Sequence, residues 1–233
     1  MPVYERPQFK LNMSKTARIL GWCYLPVHLF ILPLLLNIFS FVSWAGLSDR
    51  TINVIYYGVG TAYILLFLRS YLRADFDTLL DHKIGNFLCL LSGYFFDILL
   101  SYAAIIALEL IVGSVVNPNE EAIDTMAQSD YSAVFGLAVF LAPVVEETLF
   151  RGVVFGTLRE KSRVLAYAVS ILLFSFYHIW QYAIAYSDAS LFIYMIQYIP
   201  VSFVLAWLYD RSRTIWVPII FHMLINALAL VVA

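Results

Sequence analysis

The stretch VVEETLFRGVV, residues 144–154, sets two adjacent glutamates and an arginine inside an apolar run. The chain around it is 62% hydrophobic and 13% charged, with a mean hydropathy of +0.83. Soluble domains carry about 25% charged residues, so the stretch reads as part of a membrane span. An ionisable side chain at mid-bilayer costs about 2.5–3.5 kcal/mol. Such groups persist when they pair, line a cavity or do chemistry.

Outward from this stretch, seven apolar runs approach the ~20 residues that cross a bilayer as a helix. They are approximately 19–44, 52–72, 84–113, 131–157, 164–186, 190–209 and 214–232. The expected fold class is all-α: a polytopic membrane protein of about seven transmembrane helices. Pro26 and Pro33 predict a kink in the first. That run is longer than the roughly 7–15 residues of a signal-peptide core, and no small-residue cleavage site follows it. Lys and Arg mark the cytoplasmic side of a membrane protein. With seven spans, thirteen of the fourteen basic residues fall on one side, all but Arg50. That side includes the N-terminal arm with Arg6, Lys10, Lys15 and Arg18, which predicts a cytoplasmic N-terminus.

Residues 117–130, NPNEEAIDTMAQSD, hold no Lys or Arg and form the longest expected outer loop. They read as a solvated connector, with a lid over an access path as the alternative. Cys23 and Cys89 lie far apart in apolar runs and read as buried packing thiols, without a disulfide framework. No basic patch extends beyond the short loops, which argues against nucleic acid as a partner.

The C-terminal half concentrates the residues that lipid disfavours. Glu147 and Arg151, Phe174 and His178, and His222 and Asn226 are each four apart, hence on one helix face. Glu146 points about 100° from Glu147, so the two have different jobs, and Arg151 pairs with Glu147. Counted at 1.5 Å per residue from the cytoplasmic helix ends, Glu146 lies roughly 17 Å deep, His178 roughly 21 Å, His222 roughly 12 Å and Asn226 roughly 18 Å. All four can share one level. A carboxylate in an apolar cavity is a strong base, because burial disfavours its charge. Beside histidines it suits proton abstraction from water, while imidazole and amide N–H groups suit a developing oxyanion. This is the equipment of peptide hydrolysis. The alternative is metal-assisted chemistry with Glu, His and His on zinc, although no HExxH motif is present.

EETLFR (Glu146–Arg151), FSFYH (Phe174–His178) and HMLIN (His222–Asn226) resemble, in order and spacing, the EExxxR, FxxxH and HxxxN motifs of the CAAX prenyl protease type 2 and bacteriocin-processing (CPBP, Abi) family. The resemblance implies a four-helix catalytic core, residues 131–233, and does not extend to the N-terminal three-span region, residues 1–130, which the apolar runs alone define. It implies an intramembrane endopeptidase of the glutamate type, without a required cofactor. Glu146 and His178 would activate water, His222 and Asn226 would form the oxyanion hole, and Glu147, Arg151 and Phe174 would support them. The partners implied are the lipid bilayer and a membrane-anchored or amphipathic peptide or protein, in a bacterial cytoplasmic membrane. Two rivals remain. One is a catalytically silent immunity or scaffold member of the same family. The other is a proton-coupled transporter using Asp97, Glu109 and His28, for which Glu109 and His28 have a simpler reading as interfacial or interhelically paired groups.

Overall fold

The computed structural model describes residues 9–42, 46–113 and 116–232; Arg6 lies outside them. No strand occurs among the described residues. Helices α1 (Lys15–Pro26) and α2 (Leu32–Val42) are joined by a π-helical turn, Val27–Ile31. Prolines explain the join. The Leu32 N–H reaches back five residues to the Val27 carbonyl. The next amide in that register belongs to Pro33, which has no N–H. The His28 carbonyl is left to another donor, and the Tyr56 hydroxyl supplies it at 2.9 Å from the following helix.

Helix α3 (Asp49–Phe67) begins at Ser48, whose Oγ accepts from the Thr51 N–H. Helix α4 (Arg69–Asp81) follows at an angle of 80°. The sequence places most of α4 in a loop. It is helical because Tyr71, Leu72 and Asp75 share a buried face. Asp75 Oδ2 accepts from the Ile215 N–H at 2.8 Å, and the Trp216 indole donates to the Leu72 carbonyl at 2.7 Å. These bonds brace the approach to the last helix. Helix α5 (Lys83–Val112) packs along α10 (Met195–Ser212). Gly93 permits this, since a Cβ there would come within 2.9 Å of Leu208 Cδ2.

The segment expected as a loop at 117–130 is instead the start of α6 (Pro118–Phe135). Asn117 caps it, Pro118 occupies its first position, and Glu120 and Glu121 sit in the first turn. All three are helix-start signals. The helix breaks at Asp130 (φ −154°, ψ 77°), whose Oδ1 accepts from the Ala133 N–H and restarts it. A helical path of 42 residues, Pro118–Arg159, then runs through a π-helical stretch Gly136–Leu141, α7 (Ala142–Glu147), a second π-helical stretch Thr148–Phe155 and α8 (Gly156–Arg159). Helix α9 (Arg163–Ala185), a 3₁₀ turn Ala189–Tyr194, α10 and α11 (Trp216–Val232) complete the chain.

Five of these helices or helical paths are long and apolar enough to cross a membrane, and the bent α3–α4 pair makes a sixth. The expected seventh span is α11, shorter than the others at 17 residues. Helix α5 turns Phe87, Leu91, Phe95, Leu99 and Leu110 outward. Such a row suits lipid tails rather than water, and the chain is an integral membrane protein. At its centre every residue of Thr148–Phe155 is buried. Cys89 is buried as expected of a packing thiol, whereas Cys23 is exposed.

Candidate active site

The paired glutamates stand at the end of α7, between two π-helical stretches. Single π turns inside helices recur at functional sites, because the inserted residue re-aims the side chains beyond it. The first stretch repeats the device seen near Pro33. The Ala142 N–H reaches five back to the Leu137 carbonyl. The next residue is Pro143, so the Ala138 carbonyl receives no backbone hydrogen in that register. Asn226 of α11 supplies one, its Nδ2 donating at 2.8 Å. In the second stretch the Phe150 carbonyl accepts from Ser170 Oγ at 3.1 Å.

Glu147 is fully buried and paired on two sides. Arg151 Nη1 donates to its Oε1 at 2.9 Å, the expected i,i+4 pair. His222 Nδ1 donates to the same oxygen at 2.8 Å. Arg151 is also fully buried. Its Nη2 donates to the carbonyl and Oγ of Ser202, at 3.1 and 2.9 Å. Its guanidinium lies 4.1 Å above the Phe174 ring. Phe174 in turn meets the His178 and His222 rings, at centroid distances of 4.5 and 6.0 Å. It is the floor on which both imidazoles rest.

Glu146, 3% exposed, points elsewhere, as the 100° offset requires. Its Oε1 accepts from the Tyr57 hydroxyl at 2.9 Å. Its Oε2 lies 4.0 Å from His178 Nε2 and 4.0 Å from His222 Nε2. The far nitrogens set the tautomers. His178 Nδ1 lies 2.9 Å from the Phe174 carbonyl, and His222 Nδ1 faces a carboxylate. Both partners only accept, so each neutral ring carries its hydrogen on Nδ1 and turns a bare Nε2 toward Glu146. Three proton acceptors therefore converge on one point inside the bundle.

Glu146, Glu147, Arg151, Phe174, His178 and His222 thus form one contiguous cluster. Asn226 is bonded to Ala138 and, among the described residues, not to the glutamates or imidazoles. Four contributors escaped sequence reasoning. They are Tyr57, Ser202, Tyr198, which stacks on His178 at 4.4 Å, and Tyr177, whose hydroxyl lies 3.3 Å from that of Tyr57. The residues considered for a transporter lie in different settings. Glu109 is exposed near the end of α5, and Asp97 is bonded to Ser101 Oγ at 3.5 Å. His28 pairs across helices, by ring stacking, and among the described residues its ring nitrogens have no hydrogen-bond partner. It is fully buried and stacked on Tyr56 at 4.4 Å.

Residues 128–228 match the family model described as type II CAAX prenyl endopeptidase Rce1-like. The match contains all three motifs and every residue of the cluster taken from them. Over 92 residues the chain is 30% identical to a Bacillus subtilis (strain 168) protein described as "Putative membrane peptidase YdiL". That alignment covers 39% of this chain and 33% of the relative, so it spans about a third of the relative's length. No solved structure matches the chain.

Proposed function

From the Rce1-like match over residues 128–228, we propose that this chain is an intramembrane endopeptidase in which Glu146 activates water for attack on a peptide bond. The observation that carries the reading is the approach of Glu146 Oε2 to two bare imidazole nitrogens, 4.0 Å from each, inside a membrane bundle. A water received there donates one hydrogen to Glu146 and one to His178, and its lone pair attacks the scissile carbonyl. Glu146 takes the proton as the C–O bond forms, and the carbonyl π pair moves onto oxygen. Asn226 has a second amide hydrogen beyond the one on Ala138, and it donates to that oxyanion. His222, held at Nδ1 by Glu147, keeps its Nε2 turned toward the same point. Collapse of the intermediate breaks the C–N bond, and Glu146 returns its proton to the leaving nitrogen. The substrate is a membrane-anchored or amphipathic peptide or protein. The setting is a bacterial cytoplasmic membrane, with the N-terminus inside.

Zinc is the competing chemistry. Tetrahedral zinc at 2.0–2.1 Å holds its donors about 3.4 Å apart. Here the carboxylate stands 4.0 Å from each imidazole. Among the described residues no group of three His, Cys, Asp or Glu is placed to hold a metal ion. The donor set does not fit the ion, and no step runs through it.

The test is cleavage of amphipathic quenched-fluorescent peptides by the full chain in lipid nanodiscs. The parent is expected to cut with or without excess chelator, and Glu146→Gln to lose activity. A variant that cuts at the parental rate removes Glu146 from the chemistry. Activity that returns only with added zinc removes the metal-free mechanism. If neither protein cuts and both keep the same cellular phenotype, the silent scaffold or immunity reading replaces the enzyme.

A further inference from the structure

Glu146 has two oxygens, and only one of them faces the imidazoles. A half-turn merely exchanges two equivalent oxygens, but the terminal torsion of a glutamate is broad, so the carboxylate alone does not fix the plane in which one oxygen faces the imidazoles. The Tyr57 hydroxyl does. It has a single proton, and the carboxylate Oε1 at 2.9 Å is the acceptor. With that proton committed, Tyr57 Oη accepts from the Tyr177 hydroxyl at 3.3 Å. The Tyr177 oxygen lies 3.2 Å from the Tyr56 hydroxyl, which is anchored on the His28 carbonyl at 2.9 Å. Tyr56 has one hydrogen for both the Tyr177 oxygen and the nearer His28 carbonyl, which the π turn before Pro33 exposes.

The backbone holds this arrangement in place. Gly60 lies one turn after Tyr57 and faces Val145, the neighbour of Glu146. A Cβ at Gly60 would sit 3.0 Å from Val145 Cγ1 and 3.5 Å from His28 Cε1. A side chain at this position would crowd the contact between α3 and α7 that brings the phenol to the carboxylate. Tyr56 is buried against His28 on the adjoining part of the same helix.

We propose that Tyr57 is a positioning residue for the catalytic carboxylate, so that α3, which lies outside the segment matching the peptidase family, completes the active site. The proposal rests on the peptidase reading above. Tyr57 acts through Glu146: it pins Oε1 and leaves Oε2 to meet the water. Without it the carboxylate plane is free to tilt away from the imidazoles, and misplacement of a reacting group by about 1 Å lowers turnover by about 10²-fold.

The experiment uses the full chain in nanodiscs and the same peptide pool, with kcat and KM measured separately and thermal unfolding followed alongside. Tyr57→Phe is expected to lower kcat by about 10²-fold with KM changed less than about twofold. 3-Fluorotyrosine at position 57 keeps a phenolic donor and is expected to restore turnover. Parental kcat in Tyr57→Phe overturns the proposal while leaving the peptidase reading intact, provided Glu146→Gln is dead. A Tyr57→Phe protein that unfolds early, or that loses kcat and gains KM together, assigns Tyr57 to packing and overturns it as well. A parent that cuts nothing removes the peptidase reading and this proposal with it.

Discussion

Glu147 and Arg151 are the clearest test of what a single charge does in this bundle. Both are fully buried, and each holds a second helix. Glu147 fixes His222 of α11, and Arg151 fixes Ser202 of α10. Removing one member of a buried ion pair costs about 3–5 kcal/mol, because the survivor stays charged and desolvated. Arg151→Met is therefore expected to lower stability by that amount. Glu147→Gln should do the same and also release His222. The double variant should fall short of the sum, since neither charge is left orphaned. Unfolding of the four proteins in one detergent measures the cycle, and strict additivity would show that the pair is not coupled. The pair itself was legible in the sequence, because i,i+4 spacing needs no knowledge of the fold. The Glu147–His222 bond was not, since its members are 75 residues apart and meet only through helix packing. The tyrosines were less legible still. Sixteen of them are scattered through an apolar chain, and nothing in the local pattern of Tyr56 and Tyr57 marks one of the two as facing a carboxylate.

At the scale of an element, proline placed after a π turn is the recurring device. At Pro33 and at Pro143 the missing amide leaves a carbonyl five residues back, and a side chain from another helix takes it. A buried carbonyl without a partner costs about 1–3 kcal/mol; the Ala138 carbonyl is half-buried, so Asn226→Ala should destabilise the chain by about 1 kcal/mol, the low end of that range. Pro143→Ala returns an amide that can serve Ala138. The Pro143→Ala, Asn226→Ala double variant should recover part of the loss, and denaturation midpoints read this out. A double variant weaker than Asn226→Ala alone would mean that Pro143 matters for another reason. The prolines were visible in the sequence and predicted a bend near residues 26–33. The π register was not visible, because it depends on which backbone bonds the surrounding helices allow. Helix α6 is the converse case. Its capping Asn117, Pro118, Glu120 and Glu121 were all in view, but the polar composition of residues 117–130 outweighed them and suggested a loop.

At the scale of the whole molecule, charge sorts the two ends of the bundle. At one end Arg18 forks onto Glu160, while Arg159 and Arg163 each place Nε 2.9 Å from a different oxygen of Asp210. At the other, Arg50 pairs with Asp130 beside the acidic helix α6. Helices with exposed apolar faces join the two ends. The alternation of basic loops that suggested seven spans is altered where α4 and α6 replace expected loops. Polarity of this kind sets orientation when a chain inserts, since Lys and Arg resist transfer across the membrane. Lys161 and Gln128 are exposed at opposite ends and suit a labelling test. In a background with Cys23 replaced, since that thiol is exposed, a membrane-impermeant maleimide added to intact cells should label Gln128→Cys and spare Lys161→Cys. Breaking the cells should expose both. Labelling of Lys161→Cys in sealed cells would invert the topology, placing the basic end outside.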